Sequence, residues 1–346
     1  MPTIRDVARL ANVSLGTVSK VIGGKGTVRP KLAQRIQSAM QALDYHPDQV
    51  ARSLRVRRTD TIGVLVSDVT NPFFTSIIRG IESEARIHGY SVILCDSNED
   101  PALESSNLDT LFARRVDGVL LIPTHAHTAR EQLVRRRFPM VFIDRIPPNF
   151  VGSAVVADNV GAAYDATQHL IALGHKHLAI ITGNLSLSNG LDRLEGFRKA
   201  LQQAGFPLHE SYLQRGDFLL QSGYLCAQKL LSLPLPPTAI LSCSNQMTLG
   251  LMRAMREMSI SCPEQVSIVG FDDFDWVENT VPRLTTVAQP TLEMGKQSLR
   301  MLVRRIKSFQ KQGGNPEPEE VLELKTHLCL RDSTAPPQPA VAKRAS

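Results

Sequence analysis

The 346-residue sequence predicts a small α-helical head followed by an α/β body that consists of two doubly wound parallel-sheet lobes. Apolar residues recur at helical spacing within the first 45 residues, whereas from Thr61 onward short apolar runs alternate with amphipathic stretches. The balance of basic and acidic residues changes at the same place in the chain. Residues 1–60 hold 11 Lys and Arg against 4 Asp, and the remainder holds 28 Lys and Arg against 29 acidic residues. The positive excess therefore belongs to the head, where it indicates either a nucleic-acid binder or a solvated basic face.

Composition narrows the class of protein. Hydrophobic residues make up 42% of the chain, which is ordinary for a globular protein and excludes wholesale disorder. No window approaches the roughly 20 apolar residues that span a membrane, and the first residues lack the apolar core of a secretory signal. The five cysteines are scattered and odd in number, which favours a reducing compartment. We expect a cytoplasmic protein without membrane association.

The head begins with two short predicted helices. Thr3 can cap the first, whose apolar stripe lies within residues 4–11, and Ser14 can cap the second. Val18 points inward on the second helix, and the polar residues of that helix stay outside. Two helices joined by a tight turn, the second with a polar outer face, are typical of a helix-turn-helix. A third helix over about residues 30–43 can close the core of this unit.

A short helical segment follows the head. Pro47 ends the preceding helix, Asp48 can cap a new one, and only about two turns come before the pair Arg57-Arg58. A helix this short is marginal alone in water. We expect it to need DNA, or the same helix of a second chain, in order to persist.

The body alternates strands with helices, which predicts parallel sheets with right-handed crossovers. The run is too long for one sheet, so we expect two lobes. Predicted strands lie near residues 62–66, 91–95, 118–122, 140–143, 154–157, 178–182, 239–243 and 267–271. Predicted helices lie near residues 74–88, 103–114, 160–173, 192–204, 221–231 and 247–258.

Motifs along the chain resemble those of the LacI/GalR family of bacterial transcription regulators. They are residues 3–11, Val13-Ser14-x-x-Thr17-Val18-Ser19, Tyr45-x-Pro47 and Val50-Ala51-Arg52-Ser53-Leu54, in that order. The likeness extends over about residues 3–332. It implies a periplasmic-binding-protein-like body in which the chain crosses between the lobes near Asp158, Pro290 and Glu319.

The resemblance and the composition together divide the chain into four parts. They are a helix-turn-helix DNA-binding domain at 1–46, a hinge helix and linker at 47–60, a two-lobed effector-binding and dimerisation domain at 61–332, and a disordered tail at 333–346. The tail is rich in proline and small residues. It lacks the leucine heptads of a tetramerising zipper, so we expect a homodimer.

In that family the second helix enters the major groove of an operator, and the matching exposed positions of this chain are Leu15, Gly16 and Lys20, with Thr17 and Ser19 close by. Lys20 is placed to reach guanine O6 and N7, and Leu15 offers an apolar contact, for example to a thymine methyl. Leu54 matches the hinge leucine that wedges into a minor-groove step. The expected DNA-binding residues are Thr3, Ser14, Leu15, Gly16, Thr17, Ser19, Lys20, Ala51, Leu54 and Arg55.

Polar and aromatic residues follow the predicted strands, where ligands of doubly wound sheets bind. The resemblance implies an effector pocket lined by Phe73, Phe74, Asn189, Arg193, Phe218, Asn245 and Asp272. Arg193 and Asp272 would grip hydroxyls or a carboxylate from opposite lobes. Structural roles remain open: an ion pair, cap or turn for Arg193, Asn245 and Asp272, and a core position for the two phenylalanines. Asp68, Asp144 and Asp158 are expected to be helix caps or turn formers.

The pocket residues also bear on the kind of effector. Purine-responsive relatives carry a basic residue where this chain has Leu187, which disfavours a purine. Arginine, aspartate and asparagine mixed with aromatic rings favour a small-molecule effector of the sugar, sugar-acid or polyol type.

Several other functions are disfavoured. A phosphate-binding G-x-G-x-x-G or P-loop does not follow any predicted strand, and nothing resembles the nucleophile elbow of a hydrolase. The pairs His125-x-His127 and His175-x-His177 lack further ligands for a metal. We therefore expect no catalytic residues, no metal and no cofactor. The rival interpretations are a sugar-binding transport protein with the same body, which would need a signal peptide and no basic head, and a Rossmann-type enzyme.

Overall fold

The computed structural model describes residues 2–22, 28–45, 58–124, 138–147, 152–311 and 320–338. By its internal contacts the chain divides after Thr59 into two units, a head and a body. No helix in these ranges is long and apolar enough to cross a membrane.

The described part of the head contains three helices, α1 (Ile4–Leu10), α2 (Leu15–Ile22) and α3 (Pro30–Ala42). Their inward faces form a small core of Val7, Ala8, Ala11, Val18, Ile36 and Ala39. Ala11 is buried, and Leu10 is 55% exposed, so Ala11 completes the apolar stripe of α1. The predicted helix-turn-helix and third helix are confirmed.

The body consists of two lobes, each with a six-stranded sheet. The first part of the chain builds β1 (Thr61–Val66), α4 (Pro72–His88), β2 (Ser91–Asp96), α5 (Pro101–Ala113), β3 (Gly118–Leu121), β4 (Met140–Ile143) and β5 (Ala154–Ala157). The second part builds α6 (Asn159–Ala172), β6 (Leu178–Thr182), α7 (Ser188–Gln203), β7 (Leu213–Arg215), α8 (Leu220–Leu231), β8 (Ala239–Ser242), α9 (Asn245–Glu257), β9 (Ser267–Phe271) and β10 (Thr285–Ala288). The last part builds α10 (Thr291–Lys311), β11 (Val321–Leu324) and β12 (His327–Cys329).

The strand orders are β11-β5-β4-β3-β1-β2 in the first sheet and β12-β10-β9-β8-β6-β7 in the second. The pairs are parallel, except that β12 runs antiparallel to β10. Helices cover both faces. Ile62 and Val64 of β1 pack with Ile77 of α4, whereas Leu65 packs with Leu108 of α5 on the other face. Burial on both faces explains why these strands are continuous apolar runs.

Among the described elements of the body, the chain crosses between the lobes three times. Two crossings, after β5 at Asp158 and after β10 near Pro290, lie where the resemblance implies them. The third does not lie near Glu319, because β11 pairs with β5 through Leu324 and still belongs to the first lobe. The chain crosses at residues 325–326, immediately before β12.

Residues 333–335 are ordered, which corrects part of the predicted disordered tail. The Ser333 hydroxyl accepts from the backbone N–H of Thr285 (2.8 Å) and donates to the carbonyl of Ile268 (2.7 Å). The N–H of Ala335 donates to Ser267 Oγ (3.1 Å). The prediction of disorder from composition was wrong here, because serine and alanine lose little side-chain entropy when they bond to polar groups at the edge of a sheet. We call residues 333–335 the C-terminal strap; residues 339–346 lie outside the described ranges.

Candidate functional site

The outer face of α2 carries the residues expected to touch DNA. The exposed residues are Ser14, Leu15, Gly16 and Lys20, and the half-buried ones are Thr17 and Ser19. Ser14 Oγ accepts from the backbone N–H of Thr17 (3.2 Å), so it caps the helix. The face thus offers hydroxyls, one leucine and one ammonium group to a partner.

Thr3 begins α1 with a reciprocal cap. Its backbone N–H and its hydroxyl both donate to Asp6 Oδ2, at 2.9 and 2.7 Å. These bonds lower the pKa of Asp6 and fix the first turn of the helix. Ala51, Leu54 and Arg55 lie outside the described residues.

A cleft of about 440 Å³ lies between the two lobes, at the carboxyl ends of their strands. Most of the expected effector residues line it: Phe73, Phe74, Asn189, Arg193, Phe218 and Asp272. Asn245 lies behind this lining. Its side-chain amide donates to Asp272 Oδ2 (2.9 Å) and to Asn71 Oδ1 (3.0 Å). This asparagine therefore holds Asp272 in place and ties the two lobes together.

Arg145 forms the floor of the first-lobe side of the cleft. Its two terminal nitrogens donate to the two carboxylate oxygens of Glu99, at 3.1 and 2.8 Å. The same nitrogens donate to the carbonyl of Pro123 and the hydroxyl of Ser67, both at 3.2 Å. Its Nε donates to Asp144 Oδ2 at 3.4 Å. All five N–H groups of this guanidinium are therefore engaged by protein acceptors.

Aromatic rings flank that guanidinium from both lobes. The Arg145 guanidinium carbon lies 5.6 Å from the ring centre of Phe74 and 5.4 Å from that of Phe218. Phe73 and Phe74 pack edge to face, with ring centres 5.2 Å apart, and both are buried. The rings add apolar surface to a cleft whose remaining lining is largely polar.

Arg193 forms the second-lobe side. Its Nε donates to Asn159 Oδ1 (2.7 Å), one terminal nitrogen donates to the carbonyl of Cys243 (2.6 Å), and the guanidinium lies 4.1 Å from the Phe271 ring centre. Asp272 accepts from Gln289 at 2.6 Å. Arg193 and Asp272 both belong to the second lobe, so the expectation that they come from opposite lobes is wrong: Arg193 lies on α7, which packs on the second sheet, and Asp272 follows β9 of that sheet.

Asp144 also corrects an expectation, because it is neither a helix cap nor merely a turn former. It is fully buried, faces the cleft, and accepts from Asn189 Nδ2 of the other lobe at 3.0 Å. Asp158 does cap α6, through Gly161 N–H (2.8 Å), and Asp68 accepts from Thr70 in a turn at the cleft edge.

The buried acids of the cleft have unusual environments. Burial raises the pKa of Asp144 and that of Asp272. The charges of Arg145 and Arg193 act against this rise at Asp144, and the charge of Arg193 does so at Asp272. Among the described residues of the cleft, three buried oxygens have no hydrogen-bond partner: Asp144 Oδ1, Asn189 Oδ1 and Gln289 Oε1. Such orphaned acceptors carry a cost that a donor on a ligand would remove.

Several cleft residues have left-handed backbone conformations. The φ angle is 54° at Glu99, 68° at Asp144, 73° at Phe218 and 74° at Asp272. This conformation is energetically unfavourable for residues other than glycine, and such backbone strain concentrates at functional sites. Gly183 is needed beside Phe218, because an added Cβ there would lie 1.9 Å from the ring.

Some lining residues were not assigned from the sequence, among them Asn71, Glu99, Arg145 and Gln289. The signal for Glu99 and Arg145 was present, because each follows a predicted strand by a few residues. Gln289 follows β10, a strand that the sequence did not predict.

Metal binding finds no support in the described ranges, where no group of three His, Cys, Asp or Glu side chains could hold an ion. His175 has another role. Its Nε2 lies 2.9 Å from the carbonyl of Ala335, and its Nδ1 lies 2.9 Å from the Thr238 hydroxyl. Because a carbonyl only accepts, Nε2 carries the proton. His125 and His127 lie outside the described residues.

Comparison with known proteins yields relatives of both parts. The family profile described as "Bacterial regulatory proteins, lacI family" matches residues 3–48, and that of a "Periplasmic binding protein-like domain" matches residues 167–334. The ribose operon repressor of Escherichia coli K12 is 37% identical over 310 residues, which cover 88% of this chain and 93% of that protein.

Two solved structures are also similar. The lac repressor dimer bound to operator and the anti-inducer ONPF superimposes with a TM-score of 0.82 at 28% identity, covering 96% of this chain and 99% of that one. A LacI family regulator from Enterococcus faecium with bound ribose gives a TM-score of 0.69 at 33% identity, covering 80% of this chain and 100% of that one. The chain has a helical head, two lobes and a relative that is 37% identical over 88% of its length. It therefore belongs to the LacI family of bacterial regulatory proteins.

Proposed function

We propose that the chain is a cytoplasmic transcriptional repressor that binds a palindromic DNA operator as a homodimer and is controlled by a sugar in the cleft. The observation that carries the effector assignment is the set of buried acceptors without partners: Asp144 Oδ1, Asn189 Oδ1 and Gln289 Oε1. A ring bearing several hydroxyls supplies several donors at once. It also accepts from the remaining N–H groups of Arg193.

The relatives support a sugar of the ribose type. One is named a ribose operon repressor, and another holds ribose. The apolar face of such a ring suits phenylalanine surface. We assign the effector contacts to Phe73, Phe74, Asn189, Arg193, Phe218 and Asp272, with Asn245 positioning Asp272. A purine is the alternative, and the buried Leu187 provides no cation for it.

On the DNA side, α2 would lie in the major groove, with two half-sites about one helical turn apart. The lac repressor dimer bound to operator supports this arrangement. Lys20 would select a guanine and Leu15 a thymine methyl. Thr3, Ser14, Gly16, Thr17 and Ser19 would contact the backbone or neighbouring bases. Ala51, Leu54 and Arg55 would belong to a hinge helix within residues 47–60, with Leu54 as the wedge.

Effector and operator would be coupled through the angle between the lobes. Three bonds between described residues join the lobes beside the cleft: Asn189 to Asp144 and Asn245 to Asn71 at 3.0 Å each, and Ile146 N–H to Ser188 Oγ at 2.9 Å. A ligand that takes up these groups changes the balance between lobe arrangements. Coupling of this kind is typically about 1–3 kcal/mol and is reciprocal.

The test is selection of sites from a random duplex library by the full-length chain, followed by operator titrations with and without D-ribose. We expect enrichment of a near-palindrome and a change in operator affinity of roughly 5–150-fold on adding ribose. If no palindrome is enriched with or without sugars, the proposal fails entirely. If hypoxanthine changes the affinity and sugars do not, the effector assignment alone fails.

Two variants sharpen this test. Asp272→Asn should weaken ribose binding in calorimetry, and Glu210→Gln, on an exposed residue of the same lobe, is the matched control. Leu54→Ala should reduce the ratio of specific to non-specific DNA affinity, since phosphate contacts supply most of the latter. If the ratio of specific to non-specific affinity is unchanged, Leu54 is not the wedge residue.

A further inference from the structure

We infer that the cleft selects uncharged polyhydroxylated ligands and rejects sugar acids and sugar phosphates, and that Glu99 is the residue that sets this preference. The inference rests on the proposed function, because it specifies the chemical class of the effector. It is carried by the pairing of Arg145 with Glu99 at the floor of the cleft.

A buried anion is bound most strongly by a cationic side chain that has free donors. Arg145 has none, because Glu99 occupies one edge of the guanidinium with both carboxylate oxygens, and Asp144, Pro123 and Ser67 take the other N–H groups. The side chain is 3% exposed and is held between two phenylalanine rings. It cannot turn toward a ligand carboxylate without leaving the Glu99 carboxylate in the cleft.

Arg193 does have donors left, but its charge is already balanced. Asp144 and Asp272 both interact with it electrostatically, and both are buried at the cleft. Its Nε and one terminal nitrogen serve Asn159 and the Cys243 carbonyl. A hydroxyl or a ring oxygen can accept from the remaining N–H groups without bringing a negative charge next to two carboxylates.

The charge count of the lining points the same way. Four carboxylates, Asp68, Glu99, Asp144 and Asp272, accompany two guanidiniums among the described residues that line the cleft. The orphaned oxygens require donors, and a ligand carboxylate or phosphate contributes further acceptors. Charged acceptors opposed by like charge are strongly disfavoured in a desolvated site.

Glu99 is the adjustable element of this arrangement. It lies on the loop after β2 with 22% of its side chain exposed, in a left-handed conformation that turns its carboxylate toward Arg145. Replacing it by glutamine keeps the size of the side chain and removes one negative charge. The guanidinium then has a positive charge that a ligand anion can balance.

The experiment is calorimetry on the full chain with four probes: D-ribose, ribitol, D-ribonate and D-ribose 5-phosphate. Ribitol and ribonate form an open-chain pair that differs in charge. For the wild type we expect the neutral probes to bind at least about 100-fold more tightly than the anions. Glu99→Gln should raise the affinity for ribonate by about tenfold or more relative to ribitol, and Glu210→Gln should leave that ratio unchanged.

The outcomes separate the two proposals. If ribonate or the phosphate binds the wild type as tightly as ribose, the inference is overturned and the sugar effector stands. If the wild type binds no probe and a different ligand shifts its operator affinity, both fall. An unaltered ratio in Glu99→Gln, in a protein whose melting curve and operator binding match the wild type, removes Glu99 as the determinant.

Discussion

The C-terminal strap gives the most quantitative prediction. We would end the chain after Asp332, which removes residues 333–335 together with the tail, and compare it with a chain that ends after Gln338. If residues from 333 onward were a disordered tail, the two truncations would be equally stable. If the strap is part of the second lobe, the shorter chain loses hydrogen bonds along one edge of the sheet.

The magnitude follows from the bonds removed. Ser333 bonds to Thr285 and to both backbone groups of Ile268, Ala335 bonds to Ser267 and His175, and Thr334 faces His169. At about 1 kcal/mol net for each short bond, the strap contributes roughly 5–7 kcal/mol. Freeing three residues returns about 1–1.5 kcal/mol each. The net loss is therefore about 2 kcal/mol.

The assay is thermal and urea unfolding of both truncations. A loss of about 2 kcal/mol should lower the Tm by roughly 4–8 °C in a lobe of this size. Ribose affinity below the transition should not change, because the strap touches the amino ends of β9 and β10 and the cleft lies at their carboxyl ends. Equal unfolding curves for the two truncations would refute the assigned role of the strap.

Three further predictions concern other parts of the molecule. Gly183→Ala should displace the Phe218 ring, since the new Cβ would lie 1.9 Å from it, and calorimetry should show ribose affinity falling about tenfold. Glu84→Gln should cost about 1–3 kcal/mol at pH 7, because Arg300 bonds both Glu84 oxygens at 2.9 Å and lowers its pKa. Lys20→Ala should change which base is preferred in site selection, beyond any change in the salt dependence of binding.

Two of these substitutions have a matched control: Glu82→Gln is the control for Glu84→Gln, and Lys31→Ala is the control for Lys20→Ala. A depressed pKa stabilises the fold above the ordinary value of 4.5 and ceases to do so as the pH falls through the folded value. The Tm gap between wild type and Glu84→Gln must therefore narrow in acid, whereas Glu82→Gln, exposed on the same helix, should show no such gap. Lys31→Ala on α3 should leave base preference unaltered. A gap independent of pH would contradict the ion pair.

Many elements whose signals are local were predicted from the sequence, although the long amphipathic helix α10 was missed. β1 and β9 are apolar runs between turn residues, and α2 has a cap and an amphipathic face, so each was found within a few residues. β10, β11 and β12 were missed because their signals are not local. Thr285-Thr286 and the alternating pattern of residues 321–324 become strands only because a neighbouring strand bonds them. The third crossing, which the family resemblance implied near Glu319, lies further along the chain because β11 extends the first sheet through Leu324.

The cleft could be located from the sequence, but its internal pairing could not. Position after a strand places Phe73, Arg193 and Asp272 at the carboxyl ends of their two sheets, and the family resemblance implied that they share a pocket. Which acid neutralises which guanidinium depends on residues far apart in the chain, as Glu99 and Arg145 illustrate. Those pairings decide what charge a ligand can carry, so a list of lining residues alone left sugar and sugar acid equally acceptable.

The two ends of the second sheet divide stability from function. At the amino ends of β9 and β10 the backbone groups of Ile268 and Thr285 are satisfied by the strap. At the carboxyl ends the chain retains buried acceptors without partners and non-glycine residues with positive φ, including Asp272. A fold selected for stability alone would exchange these groups for apolar ones. Their persistence at one end is explained if a donor-rich ligand completes that end, and the lobes then respond to its presence.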